Sequence, residues 1–317
     1  MSTHESPAEH RDADSARRTH YGQFYGLTPI ETTEPLAIVL GNCQAESLRL
    51  MLDGGELGSV RIPPVHELVA SDLPHLQRLL SRVAVLVAQP VKDGYHGMPL
   101  GTAEIVRQLG AAARVVLVPV IRFSGLYPLH GIVRVPSDSA LDPPVVAYHD
   151  FRVLVEAAHR RGGSTAVTDA AILSNSVREI ARLSLAELQR READHETVVI
   201  SDLYREPHFE QMRTINHPGN SVLESLADRV LDRLGIRRAP TDPGRPLLNG
   251  VHAPREDAVI AALGLNDAPR EHWIVDGQHV STERVRDEHL RFYEQHPDAI
   301  DAGLKRYQRE IQLLGLA

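Results

Sequence analysis

Cys43 is the single cysteine in 317 residues, and its neighbours give it a chemical setting. It lies in Gly41-Asn42-Cys43-Gln44, directly after the apolar run Leu36-Ala37-Ile38-Val39-Leu40. Directly after it comes Ala45–Leu52, where apolar residues fall at helical spacing. Strand, glycine turn and helix place the thiol at a helix N-terminus. Unpaired N–H groups and the positive end of the helix dipole favour an anion there, so the thiol is expected to titrate below a free cysteine. The same N–H groups suit an oxyanion. A lone cysteine is equally often a small buried hydrophobe, and only its surroundings separate the two readings. An activated thiol is a nucleophile, and its natural chemistry is acyl transfer or acyl hydrolysis.

Such a thiol needs a base and groups that hold the acyl donor. The candidates follow other expected strands, where an open α/β sheet binds its ligands. Gln44 shares the cysteine's turn. Gln89 opens Gln89-Pro90-Val91-Lys92-Asp93-Gly94-Tyr95, the loop after another expected strand. His217, in Asn216-His217-Pro218-Gly219-Asn220, is the candidate base, against the alternative of an ordinary surface histidine. Asp202 either orients His217 or caps a helix. Lys92 is one of only two lysines, the other being Lys305, and is a candidate phosphate contact, against the alternative of an ordinary solvated lysine. Arg122, in Arg122-Phe123-Ser124-Gly125-Leu126-Tyr127-Pro128, either binds a phosphate bidentately or closes a salt bridge at the sheet edge. Tyr95 either stacks on a base or lines an acceptor pocket. His66-Glu67 is a second acid–base pair or a cap.

The elements that must position these residues alternate. Strands are expected at 36–40, 59–62, 83–88, 114–120 and 197–201, with helices at 45–53, 72–81 and 102–111 between the earlier ones. That pattern means a parallel sheet covered by helices. Val83–Val87 and Val115–Val118 lack polar alternation, as central parallel strands do. From about residue 150 helices dominate, at 150–161, 169–192, 203–214, 221–235, 256–264, 282–295 and 298–314. Residues 1–18 are polar without periodicity and read as a disordered tail. Residues 20–26 hold three aromatics in a chain with 4% aromatic content, so they read as an anchored segment. Residues 19–317 read as one α/β catalytic domain with a helical extension over about 256–317.

Composition bounds the function. Hydrophobic content is 42% and charged content 24%, ordinary for a soluble globular chain. A net charge of −8 argues against a nucleic-acid surface, though not against a local basic pocket. One cysteine excludes an internal disulfide framework. No apolar run approaches a membrane span and no secretory h-region is visible, so a cytoplasmic location is expected. No clustered Cys/His spacing, P-loop or dinucleotide fingerprint is present, so no metal is expected.

Taken together, Gly-Asn-Cys-Gln, Gln-Pro-Val-Lys-Asp-Gly-Tyr, Arg-Phe-Ser-Gly-Leu-Tyr-Pro and Asn-His-Pro-Gly-Asn resemble the WcbI family of polysaccharide-biosynthesis acetyltransferases over roughly residues 35 to 300. The resemblance implies coenzyme A binding and acyl transfer to a sugar hydroxyl. It also implies a three-layer fold distantly similar to the SGNH, or GDSL, hydrolases, with Asn42-Cys43 standing where those enzymes carry Asp-Ser. Those hydrolases place an aspartate three residues before the catalytic histidine, where this chain has Thr214. The reading is therefore a CoA-dependent acyltransferase with Cys43, His217, Gln44, Gln89 and Asp202 catalytic. Asn42, Lys92, Tyr95 and Arg122 are assigned to the CoA co-substrate. The partner is a small-molecule acceptor, a sugar; self-association stays open. The alternatives are an SGNH-like esterase or thioesterase with a cysteine nucleophile, and a non-catalytic binding protein on the same fold.

Overall fold

The computed structural model describes residues 15–163 and 174–316. The chain groups into two compact units. The first takes in the chain to Val120 with Arg191–Ile200 and Leu223–Arg245; the second takes in Ile121–Arg190, Ser201–Val222 and the chain from Pro246 onward.

The first unit is the expected parallel sheet. A helical stretch at 15–20 leads into α1 (Gly22–Tyr25). Then follow β1 (Leu36–Leu40), α2 (Cys43–Leu52), β2 (Gly58–Ser59), α3 (Leu73–Leu80), β3 (Val85–Ala88), α4 (Thr102–Val106) and β4 (Arg114–Leu117). The four strands run parallel in the order β2-β1-β3-β4, with Ile38 opposite Leu86 and Leu86 opposite Val115. Ile38, Leu40, Leu76, Leu80, Leu86 and Ala88 are buried in one apolar cluster with Phe24 of α1. Each of the larger side chains contributes about 1.5–3 kcal/mol by leaving water.

The anchored segment exists. Phe24 and Tyr25 are buried. Arg17 Nη2 pairs with Asp72 Oδ2 at 2.8 Å, and Tyr25 OH donates to Asp72 Oδ1 at 2.8 Å. Of the expected disordered tail, residues 1–14 lie outside the described residues and 15–18 are helical.

Four expectations are corrected. The apolar run at 115–118 belongs to an edge strand, and Val115 is 38% exposed. The strand expected at 59–62 ends early: Val60 N–H still reaches Ala37 O at 3.2 Å, but Pro63 and Pro64 follow and have no N–H to pair. Residues 197–200 make one ladder bond, Val198 N–H to Leu117 O at 2.8 Å. Side chains take their other groups: Glu192 Oε1 accepts from Ile200 N–H at 2.7 Å and Arg229 donates to Val199 O at 2.5 Å. The helix expected at 203–214 is absent. Pro207 interrupts it, and 3-10 turns at Ser201–Tyr204 and Phe209–Gln211 lead into a strand instead.

The second unit carries β5 (His130–Gly131), β6 (His149–Asp150), α5 (Phe151–Arg161), α6 (Ser174–His195), β7 (Met212–Thr214), β8 (His217–Pro218) and α7 (Asn220–Arg233). It continues with β9 (Val251–His252), α8 (Asp257–Leu263), β10 (Trp273–Val275), β11 (Gln278–Val280), α9 (Thr282–Gln295), α10 (Pro297–Arg306) and α11 (Gln308–Leu313). The end of α6 from Arg191 and all of α7 from Leu223 onward belong to the first unit. Residues 169–173 of the helix expected at 169–192 lie outside the described residues. α5 packs against α9 and α10, with Phe151, Leu154, Tyr293 and Ile300 in the core. The helix expected at 298–314 breaks at Tyr307, whose hydroxyl donates to Ile132 O at 3.0 Å and whose ring lies 4.7 Å from Phe151. Two strands of a three-stranded antiparallel sheet, β11-β10-β9, stand within the expected helical extension, and β9 lies just before it.

Candidate functional site

The turn after β1 is locked from three sides inside the first unit. Asn42 caps α2: its Oδ1 accepts from Gln44 N–H at 2.9 Å. Gln89, the first residue past β3, is buried and spends its whole amide locally. Its Oε1 accepts from Asn42 N–H at 2.8 Å, and its Nε2 donates to Gln44 Oε1 at 2.9 Å and to Pro119 O at 3.4 Å. Gly41 permits this approach, because a Cβ there would lie 2.4 Å from Gln89 Oε1. Gly41 O accepts from Val65 N–H at 2.8 Å, which ties in the loop after β2. Gln44 and Gln89 are thus brought together with Asn42, and their amides shape the turn around Cys43.

Cys43 is half-buried at the first position of α2. Burial pushes its thiol up, the N–H groups of Cys43 and Gln44 pull it down, and Glu67 adds a smaller upward push. The net direction is upward, which corrects the expectation of a depressed thiol. The helix terminus acts as anticipated, but removal from water outweighs it. Cys43 is therefore a neutral thiol at neutral pH and becomes a nucleophile only when a base takes its proton.

The other expected residues of this unit are more peripheral. Lys92 is exposed on the loop after β3. Tyr95 packs against the unit's core and stacks on His96 at 4.2 Å. His66 and Glu67 are both exposed, with Nε2 and Oε1 3.9 Å apart.

In the second unit His217 opens β8, opposite Thr214 of β7. The hairpin closes tightly: a Cβ on Gly219 would lie 1.9 Å from Glu210 O. The ring of Tyr148 meets His217 edge-on at 6.0 Å and stacks on Trp273 at 6.1 Å. Tyr148 OH donates to Asn216 Oδ1 at 2.8 Å and accepts from Thr214 Oγ1 at 2.9 Å. Burial pulls His217 down to about 4, and Arg213 and His252 add to that. The imidazole is neutral at pH 7, with its buried Nδ1 making no hydrogen bond among the described residues. Asp202 is exposed on the turn Ser201–Tyr204, and no carboxylate is among the groups that shift His217. Arg122 is half-buried; burial lowers its pKa, and Tyr307 and Tyr148 oppose that. Tyr148 is the common neighbour of Arg122 and His217. Sequence reasoning missed it, and it missed Arg213, His252, Arg255 and Arg270. The fragment Arg213-Thr214-Ile215-Asn216-His217 was the available signal for the first of these.

Among the described residues no group of His, Cys, Asp and Glu forms a metal cluster, and no helix is long and apolar enough to cross a membrane. A family model described as "Polysaccharide biosynthesis enzyme WcbI" matches residues 36–239. No curated protein sequence matches the chain. A solved structure shares the fold with a TM-score of 0.73 at 16% identity, covering 89% of this chain and 99% of its own. It is described as giving structural insights into WcbI, a novel polysaccharide biosynthesis enzyme, as native protein without a disulfide bond between CoA and one of its cysteines.

Proposed function

This chain belongs to the WcbI family of polysaccharide biosynthesis enzymes, and on that premise we propose that it transfers an acyl group from a CoA thioester to a hydroxyl of a sugar or related small molecule. The observation that carries the proposal is the locked turn. The single thiol of the chain stands at the first position of a helix, where the backbone N–H groups of Cys43 and Gln44 favour its ionised form. The description of the structural relative names CoA together with a cysteine, which supports the same assignment.

The donor set suits a thioester, since exchanging one thiol for another on an acyl carbon is close to balanced in energy. In the first half-reaction a base takes the Cys43 proton, Cys43 Sγ bonds to the acyl carbon, the bond from that carbon to the CoA sulfur breaks, and the base passes the proton to the departing sulfur. In the second, the acceptor hydroxyl gives its proton to a base, its oxygen bonds to the acyl carbon, and Cys43 leaves and regains a proton. His217 is our candidate for that base, because it is neutral and its Nδ1 makes no hydrogen bond among the described residues. The three-layer likeness to SGNH hydrolases and a cytoplasmic location belong to the same proposal.

Intact-mass spectrometry of the full chain after mixing with acetyl-CoA tests it. One acetyl group on the wild type and none on Cys43→Ala is the expected result. Binding of acetyl-CoA by calorimetry without any adduct would replace the covalent route by direct attack of the acceptor. Absence of both would overturn the assignment.

A further inference from the structure

Three arginines converge in the second unit, and two of them have no ion-pair partner among the described residues. Arg255 and Arg270 are direct antiparallel partners, with Arg255 N–H donating to Arg270 O at 2.8 Å and Arg270 N–H to Arg255 O at 3.0 Å. Directly opposed residues of such a pair project from the same face, and like charges placed so repel. Arg213 joins them through the next chain, because Ala253 N–H donates to Arg213 O at 2.9 Å. His252 completes the group: Asn249 Oδ1 accepts from Arg213 Nε at 3.2 Å and contacts His252 Nε2 at 2.9 Å. The buried ring of Tyr127 feels all three arginines.

The compensation is thin. Arg255 pairs with Asp267 at 3.1 Å, while Arg213 and Arg270 form no ion pair among the described residues. Arg255 and Arg270 border a cleft of about 570 Å³ that also holds six carboxylates: Asp150, Glu156 and Glu256 are taken by Arg152 and Arg286, and Asp257, Glu271 and Glu283 form no ion pair with Arg255 or Arg270 among the described residues. Nε of Arg255 and Nε of Arg270 are buried and make no hydrogen bond among the described residues. Burial also works against the charge of Arg213 and of Arg270. A fold that holds unpaired, partly dehydrated guanidiniums together is unfavourable unless an anion joins them.

We infer that Arg213, His252, Arg255 and Arg270 form a phosphate-binding site. Two guanidiniums without acids match a dianion, whereas a carboxylate is satisfied by one bidentate arginine. The phosphate has two sources: the phosphates of CoA, which rests on the function proposed above, or the phosphate of an activated sugar acceptor.

Calorimetry on the full chain separates these, with pyrophosphate, CoA, pantetheine and uridine diphosphate glucose as probes. Pyrophosphate is expected to bind wild type, and Arg213→Gln and Arg270→Lys are each expected to weaken it by about ten-fold or more. CoA affinity falling in parallel, with pantetheine unaffected, assigns the site to the acyl donor. Uridine diphosphate glucose falling in parallel while CoA does not bind assigns it to the acceptor; the site then stands and the CoA reading falls. CoA bound equally by wild type and both variants, with pyrophosphate not bound at all, overturns the site and leaves the CoA reading intact. Thermal melts of both variants exclude unfolding as the cause. In the wild type alone, pyrophosphate affinity should fall steeply with added salt, and salt-independent binding would also overturn the site.

Discussion

The turn around Cys43 and the arginine group around Arg213 solve opposite problems. In the turn, Gln89 spends both its oxygen and its nitrogen on neighbouring groups, Asn42 caps the helix, and Gly41 admits the glutamine. One reactive atom, Cys43 Sγ, is held by a frame whose polar groups are satisfied. In the arginine group, cations stand opposite each other and buried Nε atoms have no acceptor among the described residues. The first arrangement is stable in isolation and suits a group that must be precisely placed. The second is completed by what it binds. Satisfied polar networks mark positioning, and unsatisfied charge marks recognition.

The hardest blow to this contrast falls on the thiol. Cys43→Ala is expected to lower turnover by about a thousand-fold or more, because it removes the acyl-carrying atom. His217→Ala should lower it by a similarly large factor. If the two residues serve one reaction sequence, the double variant is little worse than either single, since catalytic units are strongly non-additive. Rates of CoA release with acceptor present read this directly. Near-wild-type turnover of Cys43→Ala would reduce the turn to a structural feature.

A second large effect concerns acid. Burial holds His130 at about 4 and His149 at about 3, with Asp150 opposing for His130 and His289 and Arg134 reinforcing for His149. His149 Nδ1 contacts Tyr293 OH at 2.6 Å. Both histidines are neutral when folded and would charge near 6.5 when unfolded. Stability is therefore fully present above about pH 6.5 and is lost as pH falls towards 4, because the unfolded chain binds more protons there. Between about pH 7.5 and pH 5 these two histidines contribute a loss on the order of 4 kcal/mol, read from urea midpoints, and His217 and His252, also held at about 4 by burial, add to it in the same direction. His149→Gln should flatten the profile, and an unchanged slope would show that the pair does not control it.

Much of the turn was legible in the sequence, and little of the arginine group was. An unbroken apolar run, a glycine and then helical spacing mark β1, the turn and α2, because these features are local. The direction of the Cys43 pKa was not legible, since burial depends on what packs over the residue. The residues at 197–200 look like a strand, yet Glu192 and Arg229 take their hydrogen-bonding groups, and these contacts depend on tertiary structure. Tyr148 and Arg213 become neighbours of His217 only through pairing. One missed element was readable: Asp276-Gly277 between Trp273–Val275 and Gln278–Val280 is a two-residue hairpin turn, and both residues have positive φ, 47° and 78°.

The frame of the turn can be tested apart from the thiol. Gln89→Leu leaves Asn42 N–H and Gln44 Oε1 without their partner inside a buried site, so a loss of about 2–3 kcal/mol is expected in urea unfolding. Turnover should fall while alkylation of Cys43 speeds up, because a loosened turn exposes the sulfur. Gln89→Leu with native stability and native alkylation would show that the turn holds its shape without the amide.

The smallest expected effect separates two roles of one residue. Asn42 was expected to contact CoA, and in the structure its side chain caps α2. Asn42→Ala should lower stability by about 1 kcal/mol, the usual loss for such a cap. Asn42→Asp keeps an oxygen for Gln44 N–H and adds a charge that the helix N-terminus favours, so it should restore that stability. The charge would also raise the Cys43 thiol further, so alkylation of Asn42→Asp should shift to higher pH. If Asn42 only caps, CoA affinity measured by calorimetry stays level across wild type, Asn42→Ala and Asn42→Asp once each is shown to be folded. A fall in affinity for Asn42→Asp at restored stability would give the residue a direct contact with the donor, and the turn would then take part in recognition as well as in positioning.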